Sequence, residues 1–155
     1  QAAIGFFFAS GARPAAWNQW AEVVGHDPRK PRFVGDMPHG WVASDFIRSA
    51  LDLFAYERDS DRALVLAAGV PEQWLQGDGV AIEHLRTPYG QLSYSLRRTG
   101  KGVTLHVDAG ATPPGGFVFA WSTATARKRV TVNGKPVEWK GGDLHFSAAP
   151  ADVEM

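Results

Sequence analysis

The sequence predicts a mostly β chain with N-terminal helices, a helical segment giving way to an antiparallel β-sandwich. Three observations carry that reading. Apolar residues recur with helical spacing up to about Tyr56 and alternate with polar ones from about Ala63 onward. Glycine, proline and asparagine punctuate the second part at short intervals. Within it, Asn133-Gly134 between valine-rich runs is the strongest short hairpin signal, because both residues tolerate positive φ.

The first element is apolar, Ile4-Gly5-Phe6-Phe7-Phe8-Ala9. It is far shorter than the roughly 20 residues a membrane-spanning helix needs, and it lacks the basic flank of a signal peptide. Three consecutive phenylalanines would be poorly placed on a free terminus in water. They are read as a buried element whose upstream neighbours lie outside this chain. Ala15 to Val24 follows as a helix, with Pro14 suited to a first turn and Gly25 to a stop. His26 to Gly40 is a loop interrupted by Pro28, Pro31 and Pro38. A loop of that length is often functional.

Trp41 to Tyr56 is the clearest helix. Val42, Phe46, Ala50, Leu53 and Phe54 form its apolar stripe, which Ile47 and Leu51 widen. The charged run Glu57 to Arg62 closes it, so residues 1–61 form a helical segment and 62–155 the β part. Ala63 to Ala68 is then an apolar strand, and a single helical turn surrounds Gln73-Trp74-Leu75. Val80 to Leu85 is a strand. Leu92, Tyr94 and Leu96 pair with Val103, Leu105 and Val107 through a turn at residues 99–102. Phe117 to Trp121 is apolar on both faces and hence central. Val130 to Val132 and Val137 to Trp139 flank the Asn-Gly turn, and Leu144 and Phe146 complete the set. Some seven short strands at this spacing favour a sandwich over a parallel sheet.

Composition excludes several functions. The 16 basic and 16 acidic residues balance, so no whole-molecule field draws the chain to nucleic acid or to an anionic membrane, and neither is expected as a partner. The absence of cysteine removes disulfides, thiol nucleophiles and zinc-thiolate sites, while leaving the compartment open. No Gly-x-Ser-x-Gly elbow or phosphate-binding loop is present, and Gly100-Lys101-Gly102 is a hairpin turn rather than a dinucleotide motif. His84, His106 and His145 fall on separate strands without ligand spacing, and His26, Asp36 and His39 form only a loose group. No metal or other cofactor is expected.

The segment from Trp17 to Trp41 differs from the rest. It gathers Trp17, Asn18, Trp20, His39 and Trp41 with two carboxylates, Glu22 and Asp36, among the aromatics. Sugars stack their C–H faces on indole rings and take hydrogen bonds from amides, carboxylates and imidazoles. Cleaving a glycosidic bond needs two carboxylates about 5–9.5 Å apart. The competing reading makes these tryptophans core residues and Glu22 a helix surface charge.

On these residues the chain resembles the C-terminal end of (α/α)6-barrel glycoside hydrolases, particularly the α-L-rhamnosidases. Trp17-Asn18-Gln19-Trp20 is similar to the barrel's Trp-x-x-Trp element. Met37-Pro38-His39-Gly40-Trp41 stands where such enzymes carry a His-containing loop before their last helix. Ala68-Gly69-Val70-Pro71 resembles their helix-to-sandwich connection, Thr87 to Leu92 the entry to the first long hairpin, and Val130 to Val137 a late hairpin. The resemblance implies that residues 1–61 are a barrel remnant and 62–155 the C-terminal sandwich. The parent would hydrolyse glycosidic bonds with inversion. Trp17, Trp20 and Trp41 would line a subsite for an oligosaccharide or glycoside, and His39 and Asp36 would bond its hydroxyls. One departure stands out: the family's general-base glutamate follows the first Trp, and this chain has Asn18 there. Glu22 or Asp36 is the substitute candidate. A twelve-helix barrel needs several hundred residues at about 12 per helix plus connections. The isolated chain is therefore expected to be inactive, and to contact the rest of a parent enzyme or itself through its apolar face. A carbohydrate-binding or purely structural β-sandwich without catalysis is the alternative, with Trp74, Trp121 or Trp139 as the gripping residues.

Overall fold

The computed structural model describes residues 4–5, 23–24, 33–34, 38–100, 102–121 and 129–155. Two compact units divide between Ala50 and Leu51. In the first, strands β1 (Val23–Val24) and β2 (Phe33–Val34) pair antiparallel. Helix α1 (Gly40–Asp52) begins in this unit and ends in the second.

The helix stops four residues short of the expected Tyr56. Ala55–Arg58 is instead strand β3, paired antiparallel with β4 (Ala63–Leu66). The reason is burial on a two-residue period. Ala55 enters the core shared with the other sheet, while Tyr56 packs against Ala63, Val65 and Val118 on the opposite face. The charged run ends β3 with Glu57 and Arg58 and then forms the turn to β4, rather than closing a helix.

The second unit is mostly β, with two sheets. After β4 come β5 (Val80–Thr87), β6 (Gly90–Thr99), β7 (Gly102–Val107), β8 (Phe117–Ala120), β9 (Val130–Val132), β10 (Lys135–Val137), β11 (Asp143–Phe146) and β12 (Ala151–Glu154). The four-stranded sheet has the order β11-β8-β4-β3 and the six-stranded sheet β10-β9-β12-β7-β6-β5. Among the described strands, β4 and β8 alone pair in parallel. Both are buried along nearly their whole length, as their unbroken apolar runs require of strands covered on two faces.

One core lies between the sheets. Leu64, Leu66, Phe117, Phe119, Leu144 and Phe146 come from the four-stranded sheet. Leu92, Tyr94, Leu96, Leu105, Val107 and Val153 come from the six-stranded one. This arrangement is consistent with a β-sandwich. Tyr94 on β6 donates its phenolic proton across the core to the carbonyl of Phe54 at 2.9 Å. Burial pushes its phenol well above the ordinary value, so it stays a donor throughout the physiological range.

Turn chemistry follows the sequence closely. Asn133 and Gly134 adopt φ of 50° and 74°, which joins β9 to β10 by the expected two-residue turn. A bulge interrupts β5 between Ile82 and Leu85, and there the N–H of His84 donates to the Ser93 hydroxyl at 3.0 Å. The C-terminal strand β12 is central, between β7 and β9, with the N–H of Val103 donating to the Met155 carbonyl at 3.1 Å. Gly102 permits that approach, since a Cβ there would overlap the Met155 carbonyl oxygen.

Two substitutions check this packing. Tyr94→Phe is expected to cost about 0.5–1.5 kcal/mol in urea unfolding, at the lower end because Phe54 keeps a bond from the Ala67 amide at 2.7 Å. Gly102→Val is expected to destabilise by about 1–3 kcal/mol through overlap with the C-terminal strand. Equal stability of either variant and the parent chain would contradict this account.

Candidate functional site

Of the residues that the sequence marks as a sugar site, His39 and Trp41 are described. Trp17, Asn18, Trp20, Glu22 and Asp36 lie outside the described residues, as does His26. His39 and Trp41 meet at the start of α1. Pro38 biases the chain away from helix just before it, and the His39 carbonyl accepts the first helical bond from Ala43 at 3.1 Å. The His39 side chain completes the cap: its Nδ1 accepts the Val42 N–H at 3.3 Å. A ring nitrogen that accepts carries no proton, so in this geometry the hydrogen sits on Nε2 and is available to donate.

The two rings stand edge to face, with centroids 6.2 Å apart and planes at 87°. Trp41 is 82% exposed, in contrast to the other described tryptophans. Further along α1, Val42, Phe46 and Ala50 are half-buried, while Ile47 and Leu51 are exposed. A bare indole face beside an imidazole N–H is a combination able to stack on a sugar ring and bond a hydroxyl.

The β unit spends its tryptophans differently. Trp121 is 4% exposed and stacks on Phe119 at 5.7 Å. Half-buried Trp139 packs against the same Phe119, and Trp74 stacks on Phe54 at 6.1 Å. Trp121 continues the alternation of Phe117 and Phe119 just past the end of β8, which puts it in the same core.

Two charged clusters in this unit escaped the sequence reading. Arg58 donates to Asp61 from Nε at 3.0 Å and from Nη2 at 2.7 Å, and to Asp143 from Nη1 at 3.0 Å. The hydrogen bond from Arg58 holds the Asp61 carboxyl below its usual range. On the outward face of the six-stranded sheet, His106 contacts Asp152 at 2.5 Å through Nδ1 and Asp108 at 3.2 Å through Nε2. Its pKa is raised, mainly by the Asp152 hydrogen bond. The Asp152 partner was hidden because it depends on β7 and β12 lying in register across 46 residues of sequence. Comparison with family models, with curated proteins and with solved structures gives no match for this chain.

The His106 cluster has a defined pH signature. A folded-state pKa above the ordinary value of about 6.5 means its stabilisation is complete below that pH and is lost as pH rises through the raised value. His106 is 49% exposed, so the contribution is about 0.2–1 kcal/mol. The stability gap between the parent chain and His106→Gln is therefore expected to be larger in mildly acidic than in mildly alkaline buffer. A gap that widens with rising pH would contradict this assignment.

Proposed function

We propose that this chain is the C-terminal portion of a glycoside hydrolase resembling the α-L-rhamnosidases. The segment before Leu51 would contribute to one wall of a sugar cavity, and the β unit from Leu51 onward, which takes in β3, would be the C-terminal sandwich. The observation that carries the reading is the pairing of an 82% exposed Trp41 with a capping His39. Keeping an indole that far in water sacrifices burial worth about 1.5–3 kcal/mol for a large apolar side chain. Such exposure is expected where a ligand or partner supplies the cover.

In this reading Trp41 stacks on a sugar face and the His39 Nε2–H donates to a ring hydroxyl. Trp17, Asn18 and Trp20 extend the subsite. Glu22 and Asp36 are the candidates for the general base, because Asn18 cannot take a proton from water. Inversion is inferred by analogy with the barrel class alone. The β unit would take no part in holding the sugar. Trp121 is taken up by its core, and several of its carboxylates are engaged: Asp61 and Asp143 by Arg58, Asp108 and Asp152 by His106. Exposed Ile47 and Leu51 on α1 would meet the rest of a parent enzyme or a second copy of the chain.

The isolated chain is expected to release no nitrophenol from aryl glycosides. Titration with L-rhamnose and rhamnosyl oligosaccharides should nevertheless shift the Trp41 indole N–H and His39 ring signals in NMR spectra, and Trp41→Ala should abolish the response. Silence across a panel of neutral saccharides, or an unchanged response in Trp41→Ala, would refute the proposed site.

A further inference from the structure

Asn133-Gly134 is the one Asn-Gly pair in the chain, and both residues are exposed at the turn from β9 to β10. The pair carries a chemistry beyond its fitness for positive φ. A glycine has no side chain to hinder its backbone nitrogen, which can attack the Cγ of a preceding asparagine. A bond forms between that nitrogen and Cγ, the Cγ–Nδ2 bond breaks, and Nδ2 leaves as ammonia with the displaced proton. The five-membered imide that results takes up water and opens to aspartate or isoaspartate.

The fold holds the Asn133 side chain away from this reaction. Its Oδ1 accepts the Asp152 N–H at 2.8 Å, and its Nδ2 donates to the Pro150 carbonyl at 3.4 Å. The Asn133 N–H donates in turn to the Asp152 carbonyl at 2.8 Å. All three bonds reach the segment where β12 begins, 17 to 19 residues along the chain. Ring closure needs Cγ against the Gly134 nitrogen, so the amide must first leave β12. The attacking residue itself is not shielded, since a Cβ built on Gly134 would meet nothing.

A simpler use of Asn133 is to serve the turn alone. Glycine or aspartate would accept the same backbone, whereas an amide offers β12 an acceptor and a donor together. We propose that Asn133 is a site of spontaneous deamidation gated by β12. The site is closed while that strand sits between β7 and β9 and open once it leaves. Freeing the side chain breaks two hydrogen bonds, and a penalty of about 1.4 kcal/mol lowers the reactive population about tenfold. Neither product restores the Nδ2–H that Pro150 accepts, so the modification records an excursion of β12 that refolding does not erase. This chemistry is independent of the His39–Trp41 pair.

The test keeps the whole chain in warm, mildly alkaline buffer, folded or in urea. Peptide mapping by chromatography and mass spectrometry then separates asparagine, aspartate and isoaspartate at position 133. The unfolded chain should deamidate at least about tenfold faster than the folded one, with isoaspartate appearing beside aspartate. In urea, Gly134→Ala should slow the reaction several-fold, because a Cβ hinders the nitrogen. In the folded chain, Val153→Ala should speed it several-fold, since it empties core volume beneath β12 and leaves the turn's sequence unchanged. Equal rates folded and unfolded, aspartate without isoaspartate, an unslowed Gly134→Ala variant, or a Val153→Ala rate equal to that of the parent chain would each overturn the proposal.

Discussion

Two sheets closing over one apolar core constrain almost every other side chain in the β unit. Phe117, Phe119, Leu64 and Leu66 face Tyr94, Leu96, Leu105 and Val107 across that core, and all are essentially inaccessible to water. Once these positions are fixed, period two sends the intervening residues outward. His106 and Asp152 thereby become cross-strand neighbours on the solvent face. Arg58 also reaches Asp143, far along the chain but in the same sheet. The phenol of Tyr94 adds a directional link between the sheets to an otherwise nondirectional contact.

The same constraint explains how much of the fold could be read from sequence. Strands β4, β6, β7 and β8 announce themselves because their burial patterns repeat the apolar patterns of the chain. The Asn133-Gly134 turn is equally plain, since few other residue pairs accept its backbone. Strand β3 reads in the sequence as the end of a helix. Leu53 and Phe54 continue the helical stripe, and only pairing with β4 reveals that Ala55 faces the core. The C-terminal strand β12 gave almost no signal, with Ala151 and Val153 as its buried residues. Its central place comes from partners on both sides, information that no local window contains.

At the candidate site, residue chemistry was legible and geometry was not. Sequence singled out His39 and Trp41 as suitable types, but nothing in it says that the imidazole caps α1 or that the indole stands exposed. The clusters around Arg58 and His106 were missed because Asp143 and Asp152 reach them only through strand register. The proposed division of labour follows from this contrast. Aromatic surface in the β unit is consumed by packing, and the most exposed aromatic of the described residues sits at the start of the helix.

The central claim is that this β unit carries its own core and plays no part in gripping neutral sugars. A chain of residues 51–155 alone, compared with the full chain by urea unfolding and by neutral-saccharide titration, tests it most directly. The account predicts one cooperative unfolding transition for the shorter chain and no saccharide response, with the response confined to the full chain. A shorter chain that fails to fold, or one that binds neutral saccharides as the full chain does, would contradict it.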